Sequence, residues 1–116
     1  MDFRRAELGI FELRAVYSNA YKRILNCFMN YESLSKRKDI DYNFYTELQD
    51  KNVLFDENYL DLIANNLLSN AFKYTEVGES IIVKLYIEDD NLVLQVIDTG
   101  IGIPLEKQEK IFERFY

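Results

Sequence analysis

Two short segments hold the residue types that could do chemistry. The first is Asn66-Leu67-Leu68-Ser69-Asn70-Ala71-Phe72-Lys73-Tyr74-Thr75. Asparagine is a poor helix former, yet Asn65, Asn66 and Asn70 sit inside an otherwise strong helical pattern. Asn66 and Asn70 are four residues apart and share one helix face, and Lys73 and Tyr74 continue near it. Two amides and an ammonium make a polar strip beside the apolar stripe, although a solvent-facing helix side would look the same. The second segment is Asp98-Thr99-Gly100-Ile101-Gly102-Ile103-Pro104. Its carboxylate falls where an apolar strand ends. The two glycines permit close backbone approach to a ligand, and Pro104 stiffens the exit. Taken alone, this segment is equally a tight turn with an aspartate cap. There is no histidine in the 116 residues. That removes the commonest acid–base group and the Ser-His and Cys-His nucleophile pairs. Chemistry here must use carboxylates, amides, lysine or a bound metal.

These segments need elements to hold them. Apolar residues at Phe11, Leu13, Val16, Tyr17, Ala20, Tyr21, Ile24, Leu25 and Phe28 recur at three and four, predicting a helix over about 10–31. Residues 1–9 read as a lead-in. Ser33 to Lys38 is a helix end or loop, with Lys36-Arg37-Lys38 as a solvated turn. Ile40 to Tyr45 alternates as a half-buried strand does, and Val53-Leu54-Phe55 is a second short strand. Asp56 is a good N-cap. Tyr59 to Tyr74 follows as a long helix with Leu60, Ile63, Ala64, Leu67, Leu68, Ala71 and Phe72 as its core stripe, and Gly78 closes the loop after it. Ile81–Ile87 and Leu92–Ile97 predict a hairpin turned at Glu88-Asp89-Asp90-Asn91. Leu105 to Tyr116 reads as a short helix. Without strict alternation of strand and helix, the expected class is an α/β (α+β) two-layer sandwich: a mixed β-sheet with helices on one face.

Composition narrows the function classes. Fourteen basic against twenty acidic residues give a net charge of −6, against a nucleic-acid footprint. An acidic domain can still bind an anionic nucleotide where a metal ion and local dipoles overcome its field. Cys27 is the one cysteine, so no disulfide can form within the chain. Its helical setting makes it a small core residue rather than a nucleophile. No apolar run reaches the roughly 20 residues that span a bilayer, and Met1-Asp2-Phe3-Arg4-Arg5 has no signal-peptide core. A cytoplasmic location and no direct membrane contact are expected.

In order, Asn-x-x-x-Asn-Ala-x-Lys-Tyr on a helix, Asp-x-Gly-x-Gly-Ile-Pro after a strand, and Ile111-Phe112-Glu113-Arg114-Phe115-Tyr116 resemble the catalytic domain of sensor histidine kinases. The last matches their phenylalanine box. The wider superfamily includes gyrase, heat-shock chaperone and mismatch-repair ATPases. Asp2-Phe3-Arg4 and Val53-Leu54-Phe55-Asp56 also look family-like, so the likeness covers nearly the whole chain. It implies a Bergerat-type ATP-binding fold, with ATP and Mg2+ as cofactors. It implies that Asn70 holds the metal and that Lys73 contacts phosphate. Tyr74 would lie beside the nucleotide, Asp98 would accept a hydrogen bond from the adenine amino group, and Gly100 and Gly102 would let the backbone pass close to the base. Hydrolysing relatives place a glutamate where this chain has Asn66. An amide cannot take a proton from water, so phosphotransfer to a protein side chain is expected rather than steady hydrolysis.

The resemblance also implies partners. They are ATP or ADP, the phosphoacceptor and dimerisation domain of a two-component kinase and, indirectly, a response regulator. In the family the domain continues past the phenylalanine box with a lid, a second glycine-rich box and further strands. Residues 1–116 are thus expected to be a single partial domain, with 1–9 leading in from a dimerisation hairpin. Weak or undetectable nucleotide binding, no activity alone, and an exposed sheet edge beside 92–97 are expected with it. The alternatives are a non-catalytic interaction module that keeps the fold, or a serine kinase of the anti-sigma type.

Overall fold

The computed structural model describes residues 14–49, 51–98 and 105–111. Strand β1 (Ala15–Ser18) comes first, followed by helix α1 (Ala20–Asn30) and the short helix α2 (Glu32–Arg37). The helix predicted over 10–31 is therefore helical only from Ala20. Asn19 sets the start: its backbone is extended and its side-chain oxygen accepts from the Lys22 amide at 2.9 Å. Val16 and Tyr17 kept the helical spacing but lie in β1, mostly exposed. Phe11 and Leu13 fall outside the described residues.

Strand β2 (Asp41–Thr46) and strand β3 (Val53–Asp56) lead into the long helix α3 (Glu57–Tyr74). Then come β4 (Ser80–Glu88), β5 (Asn91–Asp98) and β6 (Leu105–Ile111). The main sheet has the order β2-β4-β5-β6, with β2 parallel to β4 and the other pairs antiparallel. A separate antiparallel ribbon joins β1 to β3. The predicted hairpin forms as read. Its turn places Asp89 and Asp90 at φ 52° and 65°, the left-handed pair whose twist suits a two-residue hairpin loop.

Two expectations at the C-terminal side are corrected. Residues 105–111 form a strand and not a helix. Their Glu- and Lys-rich composition favours helix, but the open ladder of β5 supplies a full row of backbone partners. The edge expected beside 92–97 is consequently covered by β6. Residues 112–116, which carry most of the phenylalanine box, lie outside the described residues.

Helices α1 and α3 pack on one face of the sheet, as the two-layer expectation required. Leu60, Ile63, Ala64, Leu68, Ala71 and Phe72 of α3 are buried against Ile81, Val83 and Leu85 of β4 and Leu92, Leu94 and Val96 of β5. Leu67 is only half-buried. Tyrosines line the rim of this core. Phe28 stacks on Tyr42 at 3.9 Å between ring centroids, and Tyr42 meets Phe72 edge-on at 4.9 Å. The Tyr42 hydroxyl donates to the Phe28 carbonyl at 2.8 Å, as a buried phenol requires.

Cys27 lies half-buried on α1. Burial first, and then the charge of Asp61, pushes its thiol up to about 11. Only the thiolate attacks electrophiles. At pH 8 Cys27 should therefore react with a maleimide roughly a hundredfold more slowly than an unperturbed thiol, since two pKa units separate them. A rate equal to that of a small free thiol would show the side chain to be open to solvent. Among the described residues, no helix is long and apolar enough to cross a membrane.

Candidate functional site

Helix α3 is built to present a polar face. Asp56 caps its start, accepting from the Tyr59 amide at 2.9 Å, while its second carboxylate oxygen accepts from the Arg14 amide at 2.6 Å. One buried side chain thus fixes both the helix and the β1–β3 ribbon. With the apolar stripe turned to the sheet, Asn66, Asn70, Lys73 and Tyr74 all come out exposed. The Lys73 ammonium lies 5.5 Å from the centre of the Tyr74 ring. The geometry thus groups the four residues of the first segment on the solvent side of one helix.

Asp98 belongs to the other layer. It ends β5 and is almost wholly buried, at 1% exposure. Strand alternation puts it on the same sheet face as Leu92, Leu94 and Val96, the face that packs under the helices. Gly100 and Gly102 lie outside the described residues.

Topology brings the two segments to one end of the molecule. Residues 75–79 connect α3 to β4, and Ile81, near the start of β4, pairs with Asp98 at the end of β5. The last turn of α3, bearing Asn70, Lys73 and Tyr74, therefore lies at the end of the sandwich where Asp98 terminates its strand. At that end of the fold a buried carboxylate, Asp98, belongs to the sheet layer, and exposed side chains, Asn70, Lys73 and Tyr74, belong to the helix layer. A carboxylate is a hydrogen-bond acceptor, and amides and ammonium groups suit charged oxygens.

The donor set bears on a metal. Among the described residues no three His, Cys, Asp or Glu side chains gather as a metal site. A single exposed amide such as Asn70 suits Mg2+, which keeps several waters and takes most of its ligands from phosphate. The described residues fit a magnesium ion that takes most of its ligands from a nucleotide and water.

Two features escaped the sequence reading. Lys38, read as part of a solvated turn, is half-buried, and its ammonium donates to the carbonyls of Phe72 and Thr75 at 2.7 and 3.0 Å. Thr75 is 1% exposed, and its hydroxyl has no partner among the described residues. No spacing in the sequence distinguishes Lys38 from its neighbours Lys36 and Arg37, because the contact spans some 34 residues.

Residues 55–116 match the family of histidine kinase-, DNA gyrase B- and HSP90-like ATPases, and the chain belongs to that family. Histidine kinase P4 of Formosa agariphila is 34% identical over 116 residues, which is 100% of this chain and 8% of that protein. The catalytic domain of histidine kinase ThkA superposes with a TM-score of 0.68 at 22% identity, covering 81% of this chain and 60% of that one. Full-length ShkA, solved in complex with AMPPNP, gives a TM-score of 0.69 at 22% identity over 82% of this chain and 21% of that one. These structural likenesses support the fold. The family match and the histidine kinase relative make the chain an ATP-binding catalytic portion of histidine kinase type. The chain spans less than a tenth of the first of these relatives.

Proposed function

We propose that this chain binds Mg·ATP at the α3–β5 end of the sandwich and presents the γ-phosphate to a histidine on a separate phosphoacceptor domain. The observation that carries this reading is that the Asn70–Tyr74 turn and the buried Asp98 fall at the same end of the fold, since α3 leads into the start of β4, which pairs with Asp98. Asp98 would accept from the adenine amino group. Asn70 would offer its amide oxygen to Mg2+, and Lys73 would meet phosphate oxygens as a point charge. Tyr74 would shelter the nucleotide beside Lys73, and Gly100 and Gly102 would let the backbone approach the base. When bound, magnesium supplies charge neutralisation at the phosphates, which is most of what phosphoryl transfer needs from its surroundings.

Asn66 favours transfer over hydrolysis. It sits exposed one turn before Asn70, at the position where the resemblance puts a glutamate base in hydrolysing relatives, and its amide has no basic oxygen. The acceptor must come from elsewhere, because this sequence contains no histidine. A dimerisation domain bearing that histidine, and a response regulator receiving the phosphoryl group after it, complete the proposed partners.

Titration with Mg·ADP, followed in amide NMR spectra that register even millimolar binding, tests the reading with Asn70→Ala as the control. The parent should show shifts at both Asp98 and the last turn of α3. The variant should keep the Asp98 shifts and lose those at the turn together with the magnesium dependence. Identical titrations in the two proteins would remove Asn70 from the metal.

A further inference from the structure

Four hydrogen bonds tie the corner between α2 and β2 to the corner between α3 and β4. The Lys38 ammonium donates to the Phe72 and Thr75 carbonyls at 2.7 and 3.0 Å. The Gly78 amide donates to the Asp39 carbonyl at 2.9 Å, and the Asp41 amide to the Glu79 carbonyl at 3.0 Å. Asp39 takes a left-handed conformation, φ 55°, directly after Lys38, and Gly78 takes φ 88° opposite it. Both corners are therefore bent to meet one another.

The two carbonyls that Lys38 holds bracket Lys73 and Tyr74. They belong to the end of α3, where carbonyls run out of helical partners and where a cation complements the helix dipole. Thr75 N–H closes the final helical bond to the Ala71 carbonyl at 2.9 Å. Without Lys38, the Phe72 and Thr75 carbonyls would lose a charged donor in a half-buried setting, and the terminal turn would be free to fray. That turn is the one that displays Asn70, Lys73 and Tyr74.

We infer that Lys38 is a positioning residue. It clamps the last turn of α3 from beneath and so sets the direction in which Asn70 and Lys73 face the phosphates of a bound nucleotide. The inference rests on the nucleotide-site reading above. It places the control of phosphate geometry on a residue that need not touch the nucleotide. Asp98 does not share this control, because it is carried by β5 and not by α3.

The separation of Asp98 from that turn supplies the test. Affinities for adenosine, which can engage Asp98 but not the turn, and for Mg·ATP, which engages both, are measured by NMR titration in the parent, Lys38→Met and Lys38→Arg. All are kept at a temperature well below each protein's melting midpoint. Lys38→Met should lose about tenfold in Mg·ATP affinity, as a small misplacement of positioned groups does, with adenosine affinity unchanged and amide exchange at Thr75 accelerated. Lys38→Arg, which keeps the charge and the donors, should restore most of the loss. Should Lys38→Met fail to fold, Lys38→Gln, which keeps a donor without the charge, carries the same comparison. A variant that melts earlier yet keeps the parent's ratio of Mg·ATP to adenosine affinity overturns the inference alone. A parent that binds neither ligand overturns the nucleotide-site reading and the inference with it.

Discussion

Replacing Asp98 with alanine is expected to lower the affinity for adenine nucleotides by about a hundredfold. The carboxylate is buried at 1% exposure at the end of β5, so water competes poorly for it. A hydrogen bond to such a charged acceptor contributes up to about 3 kcal/mol, which is about two decades in dissociation constant. Asp98→Asn should be the more informative change, because it keeps the volume and alters the hydrogen-bonding pattern. Guanine presents a carbonyl where adenine presents its amino group, so on the proposed reading the aspartate would reject guanine by setting acceptor against acceptor. An asparagine amide can turn to offer either a donor or an acceptor. The ratio of ADP to GDP dissociation constants should therefore move towards one in this variant. A ratio that stays at the parent value would place the base elsewhere.

The second large effect concerns stability. Asp56→Ala should cost about 3 kcal/mol, since it removes a helix cap and a charged hydrogen bond together. In a domain of this size that corresponds to a fall of roughly 15 °C in the melting midpoint. The reason is the double duty of one side chain: one oxygen on the Tyr59 amide starts α3, and the other on the Arg14 amide anchors β1. Asp56→Asn, which keeps one acceptor, should recover about half of the loss. Circular dichroism melts of the three proteins decide the matter. A drop no larger than that of an ordinary exposed cap, about 1 kcal/mol, would mean that the contact with Arg14 contributes nothing.

Helix α3 could be read almost residue by residue from its sequence, because eighteen residues of unbroken period leave little choice. The β4–β5 hairpin was equally plain, since Asp89-Asp90 between two apolar runs is a turn with a mechanism. The misreadings have specific causes. The spacing of Val16 and Tyr17 continues that of Ala20, Tyr21 and Ile24, so periodicity alone carried a helix backwards through β1. The cue that stops it is Asn19, a good cap lying inside the pattern. Residues 105–111 favour helix by composition yet pair with β5, a case of long-range pairing overriding local preference. At the site, the exposed group Asn66, Asn70, Lys73 and Tyr74 follows from helix arithmetic. That Asp98 shares their end of the fold follows only from strand register. Lys38 could not be found in advance, for its importance lies in two carbonyls far along the chain.

The parallel pairing of β2 with β4 also governs when the site can exist. Thr46 and Leu85, which face each other across that pair, are 39 residues apart in sequence, and everything from β3 through α3 lies within the loop they close. Such a closure must be made before its contacts can reward it, which slows folding. The hairpin of β4 and β5 can form locally and early, giving Asp98 its strand. The turn that bears Asn70 and Lys73 docks only when the crossover shuts. A chain refolding from the fully unfolded state would thus have Asp98 in place on its strand before the turn that bears Asn70 and Lys73 is docked at the same end of the fold, and on the proposed reading competence for nucleotide would arrive as one of the last events of folding.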